Sequence, residues 1–468
     1  MTTIVWFRQD LRISDNPALA AAAKRGRVVP LYILDENGRR PPGAASRWWL
    51  HHSLAALAKS LGGLVLRRGD PTAIVPVVAK AAGADRVMWN RGTEPDTVAR
   101  DQAVLKALTD AGITVESFNG NLLHEPAAIR TQAGGPFKVY TPFWRACRAR
   151  TVTPPLRARV PTLAIDGIDS DALDAWKLLP TRPNWAAGWD KFWTPGEQGA
   201  QARLDAFLRS DLKNYAAARD RPAGRNTSLL SPHLHFGEIS PRQVWARVSF
   251  AAHRPALAQA AAKFEAELGW REFCAHLLYH FPTIATENWR REFDRFAWRR
   301  SPGDLEAWQR GRTGYPMVDA GMRELWHTGW MHNRVRMIVA SFLVKHLRID
   351  WREGESWFWD TLVDADLGNN AGNWQWVAGS GADASPYFRI FNPMVQGEKF
   401  DPKGEYVRRW CPELKNLPDK FIHAPFEANA DVLAEAGIKL GRDYPAPIVD
   451  HARAREAALA AYRRLSTP

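Results

Sequence analysis

Cysteine is scarce in this chain: Cys147, Cys274 and Cys411 are the only three in 468 residues, far apart and with no C-x-x-C pair. That excludes a disulfide framework and a cysteine-ligated zinc site, and it suits a reducing, cytoplasmic compartment. No apolar run reaches the length needed to cross a bilayer. In MTTIVWFRQDLR, charges interrupt the apolar run almost at once, so the N-terminus does not read as a signal peptide. No Gly-x-Gly-x-x-Gly follows the first strand-like segment, which argues against a dinucleotide in the usual βαβ crevice. Acidic residues are the minority charge, 50 against 63 Lys and Arg, for a net charge of +13. A polyanionic partner is favoured, although charge alone does not separate nucleic acid from an anionic membrane surface or plain solubility.

What is abundant is tryptophan, with 22 residues. An aromatic core is one explanation. Base stacking, cofactor stacking and electron hopping are the others, and only position decides among them.

Residues 1–125 alternate short apolar runs (TIVWF, VVPLYIL, LVLRRG, RVMWN, TVESF) with helical stretches at 15–25, 46–61, 72–82 and 95–111. This alternation predicts an α/β domain with a doubly wound parallel sheet. Any ligand of such a sheet should favour the carboxyl ends of the strands. Residues 126–199 are rich in proline and carry Trp176, Trp185, Trp189 and Trp193, which reads as a connector pinned by aromatics. From 200 to 468 the pattern is mostly helical, so a larger all-α domain is expected there.

The stretch around which the chain is organised is DADLGNNAGNWQWVAGSGADASPYFRIFNPMVQGEKF, 364–400. Apolar periodicity is poor there and Gly, Asn and Asp are dense, so a loop in unusual backbone conformations is expected. It reads either as a binding wall of indoles, amides and carboxylates, or as a structural loop capping neighbouring helices. In 264–274, Phe264, Glu267, Trp270, Arg271 and Cys274 share one helix face, which is either a pocket wall or the site of an ion pair. In GWMHNRVRM, Asn333, Arg336 and Met337 share a face opposite Val335, Ile338 and Val339. GRNTSLLS places successive hydroxyls before a helix, a weak signal for phosphate binding because Ser and Thr caps are common.

DADLGNNAGNWQW followed by SPYFRIFNP closely resembles the flavin-binding segment of the DNA photolyase and cryptochrome family. WFRQDLRISDN, TSLLSPHLHFGEIS, ELGWREF and GWMHNRVRM resemble the family's other blocks, in the family's order, over nearly the whole chain. The resemblance implies an FAD that is reduced and anionic in its active state. Tyr215, Thr227, Ser228, Leu229, Leu230, Ser231, Phe264, Arg271, Trp330, Arg336, Asp364, Asp366 and Asn370 would bind it. It further implies that Glu267, Trp270, Asn333, Met337 and Trp376 meet a DNA lesion. Asn370 would face the flavin, where an amide adds no second negative charge. Trp298, Trp351 and Trp374 match the family's electron-transfer chain, and Arg334 and Arg389 are expected to contact phosphates.

The activity implied is light-driven repair of cyclobutane pyrimidine dimers in UV-damaged DNA by a monomer with no obligate protein partner. The rival is a cryptochrome-type photoreceptor, which would show a changed Asn370, a lost Glu267 or Trp270, or a long C-terminal extension. The branch that repairs (6-4) photoproducts carries two histidines where this chain has Asn333 and Met337. Members with an iron–sulfur cluster would need more cysteines than three. The SRWWLHHSL stretch is similar to a bacterial branch near plant cryptochromes, where a methenyltetrahydrofolate antenna is usual; deazaflavin and FMN are the alternatives. Where well-known folate binders carry Asn-Glu, this chain has Asp96-Thr97.

Overall fold

Asn16 and Asp70 begin two of the first helices. Each side chain accepts a backbone N–H of the helix it opens, and each is followed by a proline at the first helical position. The structure is a computed structural model that describes the chain except residues 37, 39, 225, 384–387, 467 and 468. The start of SPYFRIFNP and one arginine of GRNTSLLS therefore lie outside the described residues.

Two compact units are formed. The first comprises Met1–Ala216, Ser228–Pro282 and Val363–Gly368; the second comprises Ala217–Thr227, Thr283–Leu362 and Asn369–Pro468.

In the first unit, strands β1 (Thr2–Phe7), β2 (Arg27–Leu34), β3 (Val65–Arg68), β4 (Arg86–Asn90) and β5 (Thr114–Phe118) alternate with helices α1 (Pro17–Arg25), α2 (Ala44–Leu61), α3 (Pro71–Ala81) and α4 (Pro95–Asp110). The sheet order is β3-β2-β1-β4-β5, all parallel, the doubly wound arrangement that the alternation predicts. Near-continuous apolar strands are buried on both faces, with Ile4, Trp6, Val29, Leu31, Val65, Val87 and Trp89 in the core. At the switch point, where the order reverses between β1 and β4, the protein's own polar groups hold the strand ends. Asn90 Nδ2 donates to Asp10 and Asn16, and Arg8 lies over the Trp6 ring while pairing with Asp101. Helix α5 (Tyr140–Arg148), the five-residue α6 (Ser231–His235) and the long α7 (Pro255–His280) complete the parts used below.

The second unit is helical. Helix α8 (Asn333–Ser341) is capped by His332 and α9 (Trp351–Thr361) by Asp350. Helix α10 (Leu367–Ala378) runs through the middle of the stretch expected to be a loop. That expectation is corrected: twelve residues of it are an α-helix. The buried positions Asn370, Ala371, Trp374, Gln375 and Ala378 do follow helical spacing, but two of them are polar amides. Gln375, fully buried, donates to the carbonyls of Ile284 and Glu287 and accepts the Trp289 N–H. An amide satisfied by partners nearly ninety positions away occupies a core position that a hydrophobic pattern reads as surface. The terminal helix α11 spans His451–Arg463. Among the described residues, no helix is long and apolar enough to cross a membrane and no side-chain group could hold a metal ion.

Candidate functional site

In the first unit, α7 presents the predicted stripe. Phe264 is buried and packs edge-on against Tyr215, with ring centroids 5.3 Å apart, and both meet Phe207. Glu267, Trp270 and Arg271 are half-buried on the same helix. Arg271 donates to the Asn121 carbonyl at 2.7 Å and lies 3.6 Å from Glu272, so this guanidinium is held from behind. Trp270 is stacked on Tyr140, which no sequence motif singles out.

Leading into α6, Leu229 has a φ of 52°, a left-handed conformation rarely adopted by leucine. Such strain concentrates where a chain clamps a ligand. Ser228 Oγ accepts the Leu230 N–H at 3.3 Å, Leu230 is buried, and Ser231 opens the helix.

Asp364 and Asp366 set the charge of this wall. Burial pushes the Cys274 thiol up to about 12 and the Glu94 carboxyl up to about 7, and the negative Asp366 adds to both. Burial pushes the His235 imidazole down, against the pull of Asp366 and Asp364. His235 Nδ1 is buried with no hydrogen-bond partner among the described residues.

In the second unit, Asn370 is 8 % exposed and donates both Nδ2 protons to Glu355, one to its backbone carbonyl at 2.9 Å and one to Oε1 at 2.8 Å. That leaves the amide carbonyl turned away from Glu355, ready to accept a hydrogen bond. Glu355 was not legible in the sequence, because an orienting partner fifteen positions away leaves no local pattern. Trp374 is buried against Phe358 and Trp308, with centroids 5.0 and 6.1 Å away. A Cβ at Gly354 would stand 2.2 Å from Trp374 Cη2, so only glycine allows this approach. Trp351 is fully buried and donates its indole N–H to Asn288 at 2.9 Å, while Trp298 is half-buried beside Phe296.

On α8, Asn333 is exposed and Arg336 and Met337 are half-buried, with Val335, Ile338 and Val339 on the buried side as the pattern predicts. Arg336 donates to the Met331 carbonyl at 2.7 Å and lies over Trp330. His332 is locked as the helix cap, its Nδ1 accepting the Arg334 N–H, and burial pushes its imidazole down to about 4. Arg334 is committed within the unit: it pairs with Asp220 at 3.0 Å and lies over Phe400. Arg389 is exposed, and Trp376 and Arg389 line one small recess with Lys345 and Ser341. A separate cavity of about 1140 Å³ in this unit, lined by Arg323, Trp326, Trp357 and Glu413 among others, contains none of the predicted residues.

The exposure of Arg389 carries a prediction. Arg389→Ala should reduce by roughly one unit the slope of log affinity against log salt for undamaged DNA, the effect of losing one phosphate contact. An unchanged slope places Arg389 away from the backbone.

A helical unit and a doubly wound parallel sheet in one chain define a class of two-part α/β and all-α proteins. Residues 3–162 match the family described as DNA photolyase, and residues 264–464 match the FAD binding domain of DNA photolyase. The chain belongs to the DNA photolyase family. It is 55 % identical to a deoxyribodipyrimidine photo-lyase of Agrobacterium fabrum, over 98 % of this chain and 97 % of that protein. It is 40 % identical to cryptochrome-2 of Arabidopsis thaliana, over 97 % of this chain and 77 % of that protein. The crystal structure of a bacterial class III photolyase from Agrobacterium tumefaciens superposes with a TM-score of 0.97 at 54 % identity, covering 100 % of this chain and 98 % of that one.

The residues present fit FAD. In the first unit the buried His235 Nδ1 offers a hydrogen-bonding position near the strained Leu229; in the second, the Asn370 amide, its Nδ2 held by Glu355, presents its carbonyl.

Proposed function

We infer that the protein is a deoxyribodipyrimidine photo-lyase that uses light to split cyclobutane pyrimidine dimers in DNA. The observation that carries this reading is the whole-chain identity of 55 % to a bacterial photo-lyase, and Glu267, Trp270 and Asn370 stand in the blocks that resemble the family.

FAD held by these residues, reduced and anionic, would supply light-driven one-electron chemistry for opening the two bonds between the pyrimidines. The chain's own residues bind, orient and stabilise. Tyr215, Thr227, Ser228, Leu229, Leu230, Ser231, Phe264, Arg271, Trp330, Arg336, Asp364 and Asp366 hold the cofactor. Asn370, oriented by Glu355, offers an acceptor that suits a protonated ring nitrogen and adds no charge beside an anion. Enzymes of this kind take their target out of the base stack, a step for which photolyases are a standard example. Glu267 hydrogen-bonds the dimer where negative charge develops, Trp270 and Trp376 flank it, and Asn333 and Met337 complete the pocket. Trp298, Trp351 and Trp374 would relay electrons through the protein toward the cofactor. Arg389 contacts phosphate. Arg334 also serves the DNA, through the backbone it supports rather than as a free charge, because Asp220 already holds it.

The antenna assigned is methenyltetrahydrofolate, rather than deazaflavin or FMN, on the resemblance of SRWWLHHSL to the folate-using branch. Three buried, free cysteines suit a cytoplasmic monomer.

Two oligonucleotides, one with a single cyclobutane dimer and one with a single (6-4) product, test the function under blue light and in the dark. Dimer loss only in the light is expected. The (6-4) product should persist, because His332 caps a helix and burial keeps it neutral, so it is in no position to deliver a proton. No light-dependent dimer loss would leave the photoreceptor reading; (6-4) repair would overturn the account of the pocket.

A further inference from the structure

Helix α7 carries Trp270, and the reading above gives that indole to the lesion. What lies behind it is a second aromatic ring. Tyr140, at the first position of α5, lies parallel to Trp270, with ring centroids 3.7 Å apart and planes within 6°. Its hydroxyl donates to the carbonyl of Ala266 at 2.6 Å. In an α-helix that carbonyl also accepts the N–H four residues on, which is that of Trp270 itself. The tyrosine is thus bound to the same turn of helix that it covers. Phe273 meets both rings edge-on, with centroids 5.9 Å from each.

The close approach depends on an absence. A Cβ at Gly269 would stand 2.6 Å from Trp144 Cε3 and 2.8 Å from Tyr140 Oη, so glycine is required for α5 to lie this near α7. Burial pushes the phenol upward, which keeps it protonated as a donor.

We propose that Tyr140 is a positioning residue for lesion recognition: it occupies one face of Trp270, so that the indole meets a flipped-out pyrimidine pair with its other face only. A half-buried indole without this backing can turn about its side-chain bonds, and each flipped dimer would have to order it on binding. Ordering it in advance removes that cost from the binding step. The hydroxyl's bond to Ala266 sets how far along α7 the phenol sits, and the ring sets the plane. The proposal rests on Trp270 facing the lesion, so its test must separate the two ideas.

Dark affinity for an oligonucleotide with one cyclobutane dimer, against the same sequence undamaged, gives the discrimination ratio. Tyr140→Leu should lower that ratio roughly threefold to tenfold, the range of one lost aromatic pair, with flavin content and undamaged-DNA affinity near parental. Tyr140→Phe keeps the stack and should restore most of the ratio, which a purely structural role for the hydroxyl would not do. In a Trp270→Ala background, Tyr140→Leu should add nothing further, because the group it positions is gone. If Tyr140→Leu loses flavin, Tyr140→Met, of similar volume, takes its place. An unchanged ratio in the Leu or Met variant, with Trp270→Ala still impaired, overturns the role of Tyr140 alone. An unchanged ratio in Trp270→Ala overturns the lesion-facing reading and this proposal with it. Additive losses in the double variant place Tyr140 in general packing and also overturn it.

Discussion

Trp374→Phe should slow blue-light reduction of oxidised flavin by roughly tenfold or more, the consequence of raising a barrier by about 1.4 kcal/mol. Phenylalanine gives up an electron far less readily than indole does. The substitution should be mild in every other respect. Trp374 Nε1 is buried with no partner among the described residues, so removing it orphans nothing. The ring lies among Trp308, Phe358, Leu343 and the Cβ-less Gly354, a site that accepts a smaller aromatic at the cost of a limited cavity. FAD content, dark DNA binding and repair by chemically pre-reduced enzyme should therefore stay near parental. Absorbance of the oxidised flavin during illumination with an external thiol gives the rate. A parental rate means that Trp374 is not the cofactor's electron source.

Glu267→Ala should lower dimers repaired per absorbed photon by roughly tenfold, less than the hundredfold or more that losing one pre-organised donor costs a thermal reaction. Glu267→Gln should fall between, because its amide still donates a hydrogen bond. The position supports a specific loss. Glu267 is half-buried on α7, one turn before Arg271, outside the apolar core. Flavin content and salt-dependent DNA affinity should not change. Counting repaired dimers against absorbed photons, with pre-reduced protein, isolates this step from photoreduction. Undiminished yield in the Ala variant would remove Glu267 from the reaction.

Much of the fold was legible because its burial is apolar. In β1 to β5 the runs are continuous and the helices between them begin at Asn16 and Asp70, side chains that cap through local bonds. On α8, Val335, Ile338 and Val339 mark the buried face and leave Asn333, Arg336 and Met337 on the other. Candidate site residues could be named only through the resemblance of the blocks that carry them. Their local conformation was less so: α10 was expected to be a loop, since its buried stripe contains Asn370 and Gln375 among glycines and asparagines. The outcome for Arg334 was hidden in the same way, because its partner Asp220 lies 114 positions earlier.

By itself, then, the sequence determined which chemistry this chain carries: the motif residues, the absence of metal-ligating cysteines, the basic balance and the alternation of strand and helix. Tertiary structure alone decided orientation. The Asn370 amide is turned by Glu355, Trp270 is backed by Tyr140, Trp374 has room because Gly354 lacks a side chain, and His332 is taken up as a cap. The physical reason is that apolar burial needs only a repeating pattern along one segment, whereas a hydrogen bond or ring stack needs one particular partner at one distance. Such a partner is chosen by packing between segments far apart in the chain, and no periodicity within either segment records it.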